Sequence, residues 1–189
     1  NAGHVRIFEY FLGNDEDWIQ LGSDIDGEAA IDISGRSVCL SDAGDRVAIG
    51  AHLNDGSAVD AGHVRVFEYS TSSKDWVQVG ADIDGEAAGD NSGISVSLSG
   101  DGTRVAIGAS SNGGNGTNAG HVRVFEYVSA NDSWIQAGSD IDGEVAEDKS
   151  GFMVSLSDDG NRVAISSHLS DVGGTNAGLV RVFEFNSVP

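Results

Sequence analysis

The stretch "SGISVSLSGDGTRVAIGASSNGGNGTNAGHVRVFEY" at residues 92–127 decides the fold. It contains runs of apolar residues alternating with small or polar ones, as strands with one buried face do. Its first two runs, 94–99 and 104–109, flank a Gly-Asp-Gly turn, which is typical of a β-hairpin. A third run at 121–127 is rich in valine and aromatic residues, and a fourth at 134–137 follows a polar turn. This segment therefore predicts four consecutive strands.

The same order of runs returns along the chain with a period of about 58 residues. The tryptophans Trp18, Trp76 and Trp134 keep this spacing. The segment "NAGHVRIFEY" at 1–10 returns with few changes at 60–69, 118–127 and 176–185. No part of the sequence shows a sustained helical period, so the predicted fold class is all-β.

Four short antiparallel strands in each repeat predict a β-propeller blade, whose faces must be covered by neighbouring blades. We expect a partial blade at 1–33, full repeats at 34–91 and 92–149, and a partial repeat at 150–189. In a closed three-bladed ring, the first and last segments would compete for one place in the same blade. Propellers also usually have 4–8 blades. The sequence therefore predicts either an arc of a larger propeller or a stretch that completes a propeller by pairing with another chain, and it predicts a piece of a longer protein.

The apolar members of these runs are the predicted core. In the best-defined repeat they are Val96, Leu98, Val105, Ile107, Val122, Val124 and Phe125, and their equivalents in the other repeats are expected to be buried as well. The single cysteine, Cys39, stands where other repeats have serine and is expected to be a small buried side chain.

Charge excludes two classes of partner. The chain has 30 acidic and 10 basic residues, for a formal net charge of -20. Such a surface repels nucleic acid and anionic membranes, so neither is an expected partner. No apolar run reaches the ~20 residues of a membrane span, so direct membrane insertion is not expected either.

Acidic residues gather in the segment that follows each fourth run, around the sequence "DIDGE". Oxygen ligands at alternate positions suit a hard cation such as calcium, which is the one candidate cofactor. With no bidentate glutamate at the twelfth position, affinity would be weak, on the order of 10⁻⁴–10⁻³ M. The alternative is a solvated acidic surface between blades. The candidate metal ligands are Asp24, Asp26, Glu28, Asp32, Asp82, Asp84, Glu86, Asp90, Asp140, Asp142, Glu144 and Asp148.

Three histidines, His4, His63 and His121, occupy one repeat position where the last copy has Leu179. Because leucine replaces histidine there, the pattern predicts a packing role. The chain has no nucleophile elbow, no phosphate-binding loop and no metal-type histidine pair. Each candidate carboxylate also recurs in every repeat, whereas an active site is usually a single unsymmetrical set. We therefore expect no catalytic residues and no enzyme activity.

The order of these motifs resembles the FG-GAP family, the repeats that build the propeller of integrin alpha subunits. Gly93 holds the family's glycine, "VAIGA" at 105–109 holds its Gly-Ala, and "GHVRVF" at 120–125 matches its third strand. Ser92 and Ser110 replace the family's Phe and Pro. The family's calcium loop lies in the first hairpin, which is too short and too poor in acids in this chain. Similar repeats occur in large secreted or surface proteins of marine microbes and algae.

This resemblance implies an extracellular or cell-surface binding or structural module for protein–protein adhesion or assembly. Its expected partners are other proteins or further repeats of its own chain. The alternative is a lectin-like propeller that binds glycans, which aromatic residues exposed on loops would favour.

Overall fold

The computed structural model describes residues 1–12 and 17–185. These residues form seventeen strands, β1 to β17, and every strand pairing is antiparallel. They contain no helix, and therefore none that could cross a membrane. The predicted all-β class is confirmed.

The four predicted runs of the central repeat are four neighbouring strands of one sheet, the second sheet. Each run agrees with its strand to within one residue at either end. A short fifth strand, which the sequence did not predict, pairs with the first residues of the third. The strands are β10 (Ser95–Leu98), β11 (Arg104–Ala109), β12 (His121–Val128), β13 (Ser133–Gln136) and β14 (Ile141–Asp142).

The first sheet has the same five-stranded order, and the third sheet has the first three strands of it. Before the first sheet, the N-terminal segment (residues 1–33) forms two strand pairs, β1 with β4 and β2 with β3. The first sheet holds β5 (Ser37–Leu40), β6 (Arg46–Ala51), β7 (His63–Ser70), β8 (Asp75–Gln78) and β9 (Ile83–Asp84); the third holds β15 (Ser150–Leu156), β16 (Arg162–Ser167) and β17 (Leu179–Glu184); the N-terminal segment holds β1 (His4–Val5), β2 (Phe8–Phe11), β3 (Asp17–Gln20) and β4 (Ile25–Asp26).

The core lies between consecutive sheets. Ala48, Val64 and Val66 of the first sheet pack against Val105 and Ile107 of the second. The second sheet packs on the third in the same way, through a cluster that contains Ala106, Val122, Leu156, Val163 and Ile165. The N-terminal segment covers the outer face of the first sheet through Ile7 and Ile25. Each sheet is therefore held mainly by its neighbours, as in other repeat proteins.

The core prediction is confirmed for the second sheet, except that Val124 is only half-buried. It is wrong for the two ends of the series. Val38 and Leu40 are 53% and 49% exposed, and Val180 and Val182 are both 65% exposed. These residues have no neighbouring sheet on the relevant side among the described residues, so their apolar faces meet solvent.

A glycine in the second strand of a sheet lets the next repeat approach closely. A Cβ on Gly108 would meet the carbonyl oxygen of Gly151 far inside van der Waals contact. The same oxygen accepts a hydrogen bond from the Ser95 hydroxyl at 2.9 Å. Gly50 and Ser37 meet Gly93 of the following repeat in the same way.

Cys39 is half-buried rather than fully buried. Its Sγ accepts a hydrogen bond from the backbone N–H of Leu98 in the next sheet, at 3.3 Å. Ser97, the equivalent residue one repeat later, accepts from Leu156 at 2.9 Å. The position is therefore a polar contact between sheets as well as a packing position.

Candidate functional site

The "DIDGE" segment extends each sheet. Ile83 and Asp84 form β9, which pairs with Val64 and His63 at the start of β7. In the second sheet, β14 pairs with β12 in the same register. The sequence predicted no strand at these residues. The short ladder fixes the carboxylates beside the histidine that begins the third strand.

His63 lies where the first sheet meets the N-terminal segment, and its side chain is 2% exposed. Its Nδ1 atom is 3.6 Å from Oδ2 of Asp82 and 3.8 Å from Oε2 of Glu28. One ligand atom of each residue lies within 4.8 Å of the others. Since Glu28 comes from the preceding repeat, this first cluster (Glu28, His63 and Asp82) spans a junction between repeats.

Neighbouring side chains orient both carboxylates of the first cluster. Gln78 Nε2 donates a hydrogen bond to Oδ1 of Asp82 at 2.7 Å, and the other oxygen faces His63. Nη1 of Arg65 lies 3.7 Å from Oε1 of Glu28, whose Oε2 also faces His63. Each carboxylate thus turns one oxygen to a protein donor and the other to a shared point beside the imidazole.

The second cluster (Glu86, His121 and Asp140) repeats this geometry at the next junction. His121 Nδ1 lies 3.9 Å from Oε2 of Glu86 and 4.0 Å from Oδ2 of Asp140. Gln136 donates to Oδ1 of Asp140 at 2.7 Å, and Nη1 of Arg123 lies 3.5 Å from Oε1 of Glu86. The same repeat positions therefore produce the same arrangement at both junctions.

Burial keeps both imidazoles neutral. Desolvation lowers the pKa of His63 below its usual 6.5, against the opposite effect of the Asp82 and Glu28 carboxylates. Burial is also the main cause that lowers the pKa of His121, followed by the charge of Arg123. At pH 7 one ring nitrogen of each histidine therefore keeps a lone pair free of a proton.

The last acid of each segment has a different task. Asp90 is buried, and its Oδ2 accepts hydrogen bonds from the Ala87 N–H and from Asn112 Nδ2, both at 3.0 Å. The earlier equivalent, Asp32, makes the same pair of bonds with Ala29 and Asn54. In the third copy Asp148 is also buried and accepts from the Val145 N–H at 3.3 Å. All three carboxylates hold a turn, and Asp32 and Asp90 also connect it to the next loop.

The acids of one segment are thus divided among several places. Asp82 serves the cluster of its own repeat, Glu86 serves the next cluster, Asp90 holds the turn, and Asp84 is exposed. The calcium hypothesis for one segment stays untested, and this division of the acids favours its alternative, the solvated acidic surface. Sequence reasoning missed the pairing of the histidines with these acids, because the members of one cluster are up to 54 residues apart and lie in two successive repeats.

At about 1 mM, a concentration at which weak extracellular sites bind calcium, calcium is expected to give the same thermal unfolding midpoint as magnesium. The reason is that the four acids of one segment do not surround one point. Thermal unfolding followed by circular dichroism in calcium, in magnesium and in chelator, at constant ionic strength, checks this. A midpoint that is higher in calcium than in both other conditions would support the single-segment calcium loop.

Other copies of the position are incomplete. His4 occupies it in the N-terminal segment, where its side chain is exposed, and Leu179 occupies it in the third sheet. In the third copy Glu144 still lies 3.5 Å from Arg181 Nη1, so the glutamate–arginine pair is kept without the histidine. The described residues therefore contain two complete clusters.

Two of the three tryptophans have a structural role at the junctions. Trp76 is buried, and its indole N–H donates to the backbone oxygen of Leu21 in the preceding repeat at 2.8 Å. Trp134 donates to Val79 at the same distance. Trp18 is 62% exposed and lies in the N-terminal segment. Packing of Trp76 and Trp134 against neighbouring repeats weakens the glycan alternative, which needs exposed aromatic rings.

Residues 76–125 match the FG-GAP repeat family, which confirms the resemblance seen in the sequence. No curated protein sequence matches this chain.

One solved structure shows the same fold at low sequence identity. A "putative 6-phosphogluconolactonase from Bacteroides uniformis" superposes with a TM-score of 0.61 at 14% identity, over 96% of this chain and 44% of that one. A second protein described in the same words, from Bacteroides fragilis, gives a TM-score of 0.49 at 16% identity, over 75% and 33% of the two chains. The chain thus spans less than half the length of these proteins.

Our expectation that the chain is not an enzyme is contradicted by this likeness. We excluded catalysis because each polar set recurs in every repeat, yet the Bacteroides uniformis protein has the same fold and is described as an enzyme. At 14% identity the likeness carries the fold alone.

Proposed function

We propose, from its FG-GAP-type repeat, that this chain is an assembly module built as an arc of a β-propeller with four-stranded blades. Its two end faces bind blades of the same kind, supplied by further repeats of its own chain or by a protein that carries them. FG-GAP repeats typically occur in extracellular or surface proteins, and we place this module there. The observation that carries the proposal is the exposure, at both ends, of faces that are buried at the internal junctions.

The C-terminal end face is the outer face of β17. In the first sheet, the corresponding residues Val64 and Val66 are 0% and 1% exposed because the second sheet covers them. In the third sheet, their equivalents Val180 and Val182 are each 65% exposed. An apolar strand face of this kind marks a binding surface. The partner that fits it is the one that covers it elsewhere, another blade.

The N-terminal end face belongs to β5. Val38 and Leu40 are about half exposed, whereas their equivalents Val96 and Leu98 are 8% and 5% exposed under the preceding sheet. The N-terminal segment supplies the third and fourth strands of a blade but not its first two. A hairpin of the missing kind would cover this face.

An unpaired strand edge adds to the C-terminal end face. In the second sheet β12 pairs with β11 on one side and with β13 and β14 on the other. Within the described residues β17 pairs with β16 alone. A free edge presents unpaired backbone groups that another strand can satisfy.

One feature makes the C-terminal end different from an internal junction. Ser166 stands where internal sheets have Gly108, and Met153 stands where they have Ser95. The side chain of Ser166 occupies the space that the carbonyl oxygen of the next repeat would need, and its hydroxyl accepts from the Met153 N–H at 3.0 Å. A blade docked there must sit farther out than at an internal junction, so its binding is weaker.

The proposal predicts head-to-tail association of two copies, which light scattering over a concentration series measures. At about 0.15 M salt, where screening limits repulsion between acidic chains to about 8 Å, we expect the mass to rise with concentration. Leu40→Lys blocks one end and Val182→Lys the other, and each variant alone is expected to stay monomeric. An equal mixture is expected to form a dimer and nothing larger, since each variant keeps one intact end.

The matched control is Val77→Lys, which places the same charge on an exposed residue of β8 away from both end faces. It is expected to associate like the unchanged chain. The double variant Met153→Ser and Ser166→Gly copies an internal junction and is expected to associate more tightly. A chain that is monomeric at every concentration, or a mixture of the two end variants that forms no dimer, contradicts the proposal.

A further inference from the structure

We propose that each of the two clusters, Glu28–His63–Asp82 and Glu86–His121–Asp140, binds one divalent transition metal ion, with Zn²⁺ as the representative. In each cluster one imidazole nitrogen and two carboxylate oxygens face a common point, with ligand atoms within 4.8 Å of one another. A site assembled from two successive repeats would also act as a link across their junction.

The donor set suits zinc better than calcium. Zn²⁺ takes imidazole nitrogen at about 2.0–2.1 Å and carboxylate oxygen at about 2.0–2.2 Å, usually with four ligands. Calcium instead requires six to eight oxygen ligands. In a tetrahedral zinc site, neighbouring ligand atoms are about 3.4 Å apart, which follows from these bond lengths. The Nδ1-to-oxygen distances of 3.6–4.0 Å need to contract by only about half an ångström around the ion.

The imidazole is the observation that separates these clusters from ordinary surface acids. The side chains of His63 and His121 are both 2% exposed, and each turns Nδ1 toward two oxygens that lie beyond hydrogen-bond distance. His121 Nε2 is buried with no hydrogen-bond partner in the described part of the chain. Nδ1 is the nitrogen that faces the cluster: it makes no hydrogen bond to either carboxylate, and a cation between the three groups would bind its lone pair.

Preorganisation supports the same conclusion. Gln78 donates a hydrogen bond to one oxygen of Asp82, and the Arg65 guanidinium lies 3.7 Å from one oxygen of Glu28, so the other oxygen of each carboxylate is turned toward the imidazole. Such outer contacts orient metal ligands and strengthen binding. Two carboxylates beside one arginine leave a net charge of about -1 around a neutral imidazole, which a divalent cation would offset.

The metal alone, as Zn²⁺, is the probe for the experiment, and equilibrium dialysis of the full chain gives the number of ions bound. We expect two ions per chain. His63→Leu and His121→Leu each copy the leucine that the third sheet carries at this position, so both are expected to fold. Each single variant is expected to bind one ion and the double variant none. Glu28→Gln and Glu86→Gln, which change exposed side chains, are expected to remove one ion each.

The control is Asp84→Asn, which removes a carboxylate from the same segment but outside the cluster, and two bound ions are expected to remain. Cobalt as a substitute should give visible absorption typical of a nitrogen and oxygen site, and this absorption should halve in each histidine variant. Unchanged zinc binding in the double histidine variant would assign the ions to other acids or histidines and overturn the proposal. So would the absence of saturable zinc binding by the unchanged chain.

Discussion

Replacing Ile107 with alanine is expected to lower the free energy of unfolding by about 2–5 kcal/mol, because the change leaves a cavity in the core between two sheets. Ile107 is 1% exposed and packs against the apolar face of the preceding sheet. The change would weaken the packing between the two sheets rather than the pairing within one sheet, since residues of both sheets line the cavity. Denaturant unfolding followed by circular dichroism measures it.

Ile135→Ala is the matched control, because Ile135 is 51% exposed in β13 of the same sheet. Surface substitutions of this kind usually change stability by less than about 0.5 kcal/mol. If Ile107→Ala cost no more than Ile135→Ala, the packing between the first and second sheets described above would be wrong.

A methyl group on Gly108 is expected to cost about 1–3 kcal/mol or more, although alanine usually suits a strand better than glycine. The new Cβ would collide with the backbone oxygen of Gly151, and that oxygen is held by Ser95. Backbone cannot turn aside as a flexible side chain can, so the next repeat must move away. Thermal or denaturant unfolding of Gly108→Ala gives the magnitude.

Gly113→Ala tests the same chemical change where no atom lies within 4 Å of the added methyl group. There the lower entropy of the unfolded chain should leave stability equal or raise it by about 0.4–1 kcal/mol. Opposite signs for the two variants would identify close approach between repeats as the cause. A Gly108→Ala protein as stable as the unchanged one would show that the junction tolerates a wider spacing.

The order and bounds of the main strands could be predicted from sequence because the alternation of apolar and polar residues and the turn residues are both local patterns. Alternation and the Gly-Asp-Gly turn gave the hairpin of β10 and β11 to within one residue at each end. The two-residue strands β9 and β14 could not be found in this way, because two residues cannot show a period. They form since the neighbouring third strand is long enough to offer them an edge.

The candidate site was predicted only in part, because its members meet across a repeat junction. The sequence placed Glu28, His63 and Asp82 in separate motifs, and substitution of leucine at the histidine position favoured packing alone. The structure shows that His63 is both buried and turned toward the two carboxylates. Only the register between neighbouring repeats, which no local pattern contains, brings the three together.

Exposure at the ends of the series has a similar cause. Val180 and Val64 stand in nearly identical sequences, yet one is 65% exposed and the other 0%. In a repeat protein, a residue on the face of a sheet is buried only if a neighbouring repeat covers that face, and the residue type does not show whether one does. Identical segments must therefore be judged by their place in the series.

The indole contacts between repeats give the chain built-in optical reporters. The indole of Trp76 donates a hydrogen bond to Leu21 and that of Trp134 to Val79, so the fluorescence of each ring depends on a different junction. The ring of Trp18 is mostly exposed to solvent. Opening of one junction would wet one ring and shift its fluorescence to longer wavelength while the other kept its emission. Chains that keep a single tryptophan could thus tell whether the sheets separate one at a time from an end or all together.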